Sequence, residues 1–120
     1  MKTVLAVDDS ASVRQMVRLT LSGAGYAVVE ADDGTTGLAQ AGKLSASLVI
    51  TDLNMPAMNG LDFIRALRRL PSYRGVPIVI LTTESDGSVK SQAKASGATA
   101  WITKPFKPDQ LLALTRKLLG

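Results

Sequence analysis

Five short, nearly unbroken apolar runs punctuate the sequence: Val4–Val7, Ala27–Val29, Leu48–Ile50, Val76–Leu81 and Ala100–Ile102. Runs of this length, apolar at every position rather than at alternate ones, suit β-strands covered on both faces. Between them, apolar residues recur at helical spacing, as in Val13, Met16, Val17 and Leu21, then Leu61, Ile64 and Leu67, then Leu111, Leu114 and Leu118. Strands joined by single helices must run parallel, with right-handed crossovers. The alternation predicts an α/β fold, a doubly wound five-stranded parallel sheet in a three-layer sandwich, as one domain over residues 1–120. Ser10 or Ser12 is placed to cap the first helix, Gly23 and Gly25 to end it, and Pro108 to open the last. Ser85–Ser96 is the weakest helix by pattern, because Val89 and Ala93 make up almost its whole apolar stripe and serines and a glycine dilute its propensity. It is expected to be the most easily displaced helix.

The chain has neither cysteine nor histidine, which excludes disulfides, thiol chemistry, zinc-thiolate sites and the usual general base. Its chemistry must rest on carboxylate, hydroxyl and ammonium groups. The net charge of +4 is spread over several predicted helices with few aromatic residues, a solvated surface rather than a nucleic-acid site. No apolar run is long enough for a signal-peptide core or a bilayer span, so a cytoplasmic location is expected, with no membrane partner.

In an open parallel sheet, ligands bind beyond the carboxyl ends of the strands. Asp8 and Asp9 end the first strand, Asp52 the third, Thr82 and Thr83 the fourth, and Lys104 follows the fifth. Taken singly, each has an ordinary role as turn residue, helix cap, β-branched strand residue or solvated lysine. Their joint placement at one edge argues for a site. Carboxylates brought together repel by about 1 kcal/mol per pair at 4 Å in water and several times more in a partly buried cleft. A positive charge must balance them. With only oxygen ligands available, a hard cation is indicated, and Mg²⁺ fits a shallow site of this kind. Together with the Lys104 ammonium, a threonine hydroxyl and an exposed Asp52, such a pocket suits phosphoryl transfer, with the aspartate as nucleophile.

The segments Val7-Asp8-Asp9-Ser10, Thr51-Asp52-Leu53-Asn54-Met55-Pro56 through Asn59-Gly60, Leu81-Thr82-Thr83 and Lys104-Pro105-Phe106 resemble the response-regulator receiver family of two-component systems. The likeness spans the whole chain and is nearest to the stand-alone chemotaxis, or CheY-like, members. It implies a flavodoxin-like sheet in the order 2-1-3-4-5 and phosphorylation of Asp52 by a phosphohistidine of a histidine kinase, here a chemotaxis kinase. It further implies Mg²⁺ held directly by Asp9, Asp52 and the backbone carbonyl of Asn54, with Asp8 acting through water. Thr82 and Lys104 would contact the phosphoryl oxygens, and Asn54 and Glu84 would modulate hydrolysis, making the domain a slow autophosphatase rather than an enzyme with a separate substrate. Thr82 and Trp101 occupy switch positions, the latter commonly tyrosine or phenylalanine.

Because the chain ends at Gly120 just after the fifth helix, output is expected by protein contact from a monomer. Lys90, Lys94, Trp101 and Lys107 would face the partner, for which the resemblance offers the flagellar motor switch. A phosphate sink or phosphorelay intermediate is the alternative. A haloacid-dehalogenase-type phosphatase would need a second aspartate two residues after the nucleophile, where this chain has Asn54. A flavin carrier would need a phosphate-cradling loop after the first strand, where Asp8 and Asp9 would repel phosphate.

Overall fold

In the computed structural model, which describes residues 2–83 and 87–119, each apolar run becomes a strand whose alternate side chains serve opposite layers. The strands are β1 (Thr3–Val7), β2 (Ala27–Ala31), β3 (Leu48–Asp52), β4 (Ile78–Thr82) and β5 (Ala100–Thr103). They pair in parallel in the order β2-β1-β3-β4-β5, as the resemblance implied. The helices are α1 (Ala11–Ser22), α2 (Gly34–Lys43), α3 (Gly60–Arg69), α4 (Gly87–Ser96) and α5 (Pro108–Leu119). Leu5, Val7, Val49, Ile78 and Ile80 join Phe63, Ile64 and Leu67 of α3 in one core. Val4, Ala6, Leu48, Ile50, Val79 and Leu81 join Val17 and Leu21 of α1 and Leu111 of α5 in the other.

The register brings the carboxyl ends of the central strands level. Val7 pairs with Thr51, Asp52 with Leu81, and Thr82 with Thr103. Two backbone bonds carry this alignment past the strand ends, from Asp8 N–H to Ala31 O at 3.1 Å and from Lys104 N–H to Thr82 O at 2.7 Å. Everything that follows β1, β3, β4 and β5 therefore emerges along one edge.

Ser10 is the cap of α1, its hydroxyl accepting the Val13 N–H at 3.3 Å, while Gly23 closes the helix and Gly25 turns the chain with φ of 96°. Pro108 opens α5. β4 begins at Ile78, two residues later than its apolar run, because Pro77 has no N–H to give the ladder. β2, β3, β4 and β5 instead run past their apolar cores to Ala31, Asp52, Thr82 and Thr103. Helix α4 buries only Ala93 and Ser96 among its described residues, in keeping with its thin apolar stripe. Ser85 lies outside the described residues.

One arginine ties α3 to the far end of α4. The Arg68 guanidinium donates to the carbonyl oxygens of Gly97 at 2.7 Å and Val76 at 2.7 Å, and also to that of Tyr73. Gly97 has φ of 114°, and a Cβ there would come within 2.9 Å of the Arg68 side chain. Arg68→Met keeps the aliphatic stem but leaves these part-buried carbonyls without their donor. Unfolding in urea is expected to show a loss of about 2 kcal/mol; an unchanged midpoint would mean that water replaces the guanidinium at little cost.

Candidate functional site

The edge where β1, β3 and β5 end gathers the charged groups. Asp8 is 3 % exposed, with Oδ1 accepting the Ser10 N–H at 2.9 Å and Oδ2 accepting the Lys104 ammonium at 3.0 Å. The Asp52 Oδ1 accepts the Leu53 N–H at 2.8 Å and lies 3.4 Å from the same ammonium. Asp8, Asp9 and Asp52 each offer an oxygen within 4.8 Å of the others. Lys104 reaches them from the loop after β5, where the Lys104–Pro105 peptide is cis.

The loop after β3 closes over Asp52. A Cβ on Gly60 would lie 2.3 Å from the Asp52 carbonyl oxygen, so only glycine permits the approach, and the Gly60 N–H donates to Leu53 O at 2.7 Å. Asn59 then caps α3 by accepting the Asp62 N–H at 2.9 Å. The Asn59-Gly60 pair thus serves both as helix start and as lid on the end of β3.

This closure corrects one expectation. Asp52 was expected to be exposed, yet it is 7 % exposed, because it is the last residue of a strand buried throughout and the loop returns across it. The exposed member of the acidic trio is Asp9. Burial, reinforced by the Asp8 charge, raises the Asp52 pKa above the ordinary carboxylate value, while Lys104 and the Leu53 N–H act the other way. Burial by itself would lower the Lys104 pKa, but its hydrogen bond to Asp8 and the charges of Asp8 and Asp52 outweigh that and raise it.

With the three carboxylates ionised, one ammonium leaves the cluster with two negative charges in excess. A divalent cation supplies the difference, and the all-oxygen donor set fits Mg²⁺. Of the other expected site residues, Thr82 is buried at the end of β4, Thr83 beside it is exposed, and Asn54 is exposed on the loop after Asp52. Glu84 lies outside the described residues. Trp101 on β5 is half-buried, and its indole N–H is buried without an acceptor among the described residues. Sequence reasoning passed over Arg14, whose Nη1 donates to the Asp8 carbonyl oxygen at 2.6 Å, and Glu30, which accepts from Arg14 Nε at 3.3 Å. A charged residue on β2 just past its apolar run was the available signal for that pair.

A doubly wound sheet of this order with an aspartate trio and a lysine at its carboxyl edge defines a receiver domain. Residues 4–116 match the response regulator receiver domain model, and the chain belongs to that family. The structure is similar to that of the Vibrio cholerae chemotaxis protein CheY4, with a TM-score of 0.96 and 48 % identity over 99 % of both chains. It is also similar to a response regulator structure from Chloroflexus aurantiacus, with a TM-score of 0.92 and 34 % identity over 98 % of this chain and 97 % of that one. Among curated relatives, the DNA-binding response regulator MtrA of Mycobacterium tuberculosis is 41 % identical over 97 % of this chain and 50 % of its own length. The chain spans about half the length of the curated relatives it matches.

Because folding raises the Asp52 pKa, its ionised form opposes folding. That opposition is missing below the ordinary carboxylate range and grows as pH rises through the raised value. Without added metal at pH 8, Asp52→Asn is expected to unfold at higher urea, by about 1 kcal/mol, with the advantage shrinking as pH falls into the carboxylate range. An asparagine variant less stable than the parent at pH 8 would contradict this sign.

Proposed function

We propose that Asp52 accepts a phosphoryl group from a phosphohistidine of a histidine kinase, with Mg²⁺, and that the chain then signals through phosphorylation-dependent protein binding. The observation that carries this reading is the Lys104 ammonium seated between Asp8 and Asp52, at 3.0 and 3.4 Å, beside a third carboxylate. An Asp52 oxygen forms the new bond to phosphorus as the donor P–N bond breaks, and the freed imidazole nitrogen takes a proton from water. The carboxylate becomes an acyl phosphate. Lys104 and Thr82 would then meet the phosphoryl oxygens, Asp9, Asp52 and the Asn54 carbonyl would hold the cation, and Asp8 would act through water. Mg²⁺ held there would supply charge neutralisation on the oxygens. Asn54 and Glu84 set the rate at which water removes the phosphoryl group.

The output surface in this reading is α4, β5 and α5. Lys90 Nζ sits 5.7 Å from the centre of the Trp101 ring, and a cavity of about 280 Å³ opens among Lys90, Ala93, Lys94 and Ala98–Trp101. Lys107 opens the approach to α5. Basic side chains around an indole suit an acidic, partly apolar protein segment. Likeness to a chemotaxis protein across nearly all of both chains supports chemotaxis output. In this reading the chain acts as a monomer, with a chemotaxis kinase as donor and the flagellar motor switch as target. The relatives named as DNA-binding regulators favour a second reading, a receiver unit governing a separate DNA-binding part. We place the protein's action in the cytoplasm, as for the two-component regulators it is similar to. Among the described residues no helix is long and apolar enough to cross a membrane.

Incubation with acetyl phosphate and Mg²⁺ is expected to add one phosphoryl group, located by mass spectrometry on Asp52. Equal labelling of Asp52→Asn would overturn the assignment.

Trp101 reports the switch. If Thr82 moves toward the phosphoryl group, space opens beside β5 and the half-buried ring completes its burial, a gain of about 1 kcal/mol for the remaining apolar area. Emission is expected to shift to the blue, with less quenching by iodide, when Mg²⁺ and beryllofluoride are added together. Mg²⁺ alone should leave it nearly unchanged, and Asp52→Asn should not respond. A constant spectrum with beryllofluoride demonstrably bound would make Trp101 a packing residue.

A further inference from the structure

The exposed Asp9 carboxylate can serve as a cation ligand only if the turn that carries it is held in place. Two side chains hold that turn, one on each side of Asp9. The peptide between Asp8 and Asp9 presents its carbonyl oxygen to Arg14 Nη1 at 2.6 Å. The peptide between Asp9 and Ser10 gives its N–H to Asp8 Oδ1 at 2.9 Å. Both peptide planes that flank Asp9 are thereby fixed, the second by a neighbour in the turn and the first by a residue on α1.

Arg14 is in turn oriented from the sheet. Its Nε donates to Glu30 Oε1 at 3.3 Å, and the other Glu30 oxygen accepts from Arg18 Nε at 2.5 Å. Arg14 and Glu30 are only 18 % and 28 % exposed in their side chains, so the pair is partly shielded from water. Glu30 is a half-buried carboxylate on β2, just past its apolar run. Its register partner across the ladder is Ala6, two residues before Asp8. A charge-assisted chain therefore runs from β2 through Arg14 to the backbone of the acidic turn.

We propose that Arg14, oriented by Glu30, is a positioning residue that preorganises Asp9 for the divalent cation. This rests on the reading of the trio as a Mg²⁺ site. Arg14 touches neither the cation nor the phosphoryl group. It fixes a peptide plane so that binding does not have to order the turn, as outer partners of metal ligands do elsewhere. Its charge alone would work in the opposite direction, since a guanidinium close to the acidic trio disfavours a second cation. Position and charge therefore predict opposite signs, and substitution separates them.

The test is calorimetric titration of the whole protein with Mg²⁺ alone, well below its unfolding temperature. Arg14→Lys keeps the charge but loses the forked reach; Arg14→Met removes both. Both are expected to weaken Mg²⁺ binding about tenfold. Glu30→Gln should weaken it in the same direction but less, and adding it to Arg14→Met should cost nothing further. Tighter binding by Arg14→Met with no change in Arg14→Lys would show a purely electrostatic role and overturn the proposal. So would a fall in thermal stability with Mg²⁺ affinity unchanged, the mark of a helix-packing role. If the parent protein itself shows no Mg²⁺ binding, the reading of the site fails and this proposal with it. If the parent binds and the variants bind equally, only this proposal fails. Glu30→Gln leaves the arginine stem packed on α1, so it decides the matter should the Arg14 variants not fold.

Discussion

One ammonium group among three carboxylates sets the terms for this molecule. Lys104 satisfies Asp8 and Asp52 but leaves the cluster net negative, in a place where two of the three acids are almost fully buried. Such an arrangement is held against its own repulsion by the rest of the fold. The two cores supply that restraint: β1, β3 and β4 are buried along nearly their whole length, and their ends cannot splay without exposing both layers. The raised pKa of Asp52 expresses the same imbalance at one atom. A site so poised gains from taking up positive charge.

The supports of the site are unlike one another. Gly60 acts by lacking a side chain, since any Cβ would strike the Asp52 carbonyl. Ser10 caps α1 directly after Asp9, and Asn59 caps α3 at the end of the loop that follows Asp52, so each fixes where its turn ends. Arg68 acts at a distance, binding the loop before β4 to the residue that closes α4. Helix α4 itself buries little among its described residues, and it stands beside Trp101, whose indole N–H has no acceptor among the described residues. Firm central strands next to a thinly packed helix give a change at the carboxyl edge somewhere to go.

The sequence by itself determined the class of fold, because strands apolar at every position require cover on both faces and single-helix connections require them to be parallel. It also determined that Asp8, Asp9, Asp52 and Lys104 meet, since the end of a parallel strand is marked by where its apolar run stops. It placed Asp52 and Thr82 at the ends of the third and fourth strands, where the ladder holds them although their apolar runs stop short of them. Only the tertiary structure decided that Asp52 is buried while Asp9 is exposed, because both follow apolar runs and the difference comes from a loop folding back at Gly60. The partners of Arg14 and Arg68 were likewise beyond reach of local pattern. Arg68 and Gly97 are 29 residues apart, and Arg14 and Glu30 are 16. Periodicity reports which face of an element is covered, whereas a charge pair depends on distance between faces, and that distance exists only once the layers have packed.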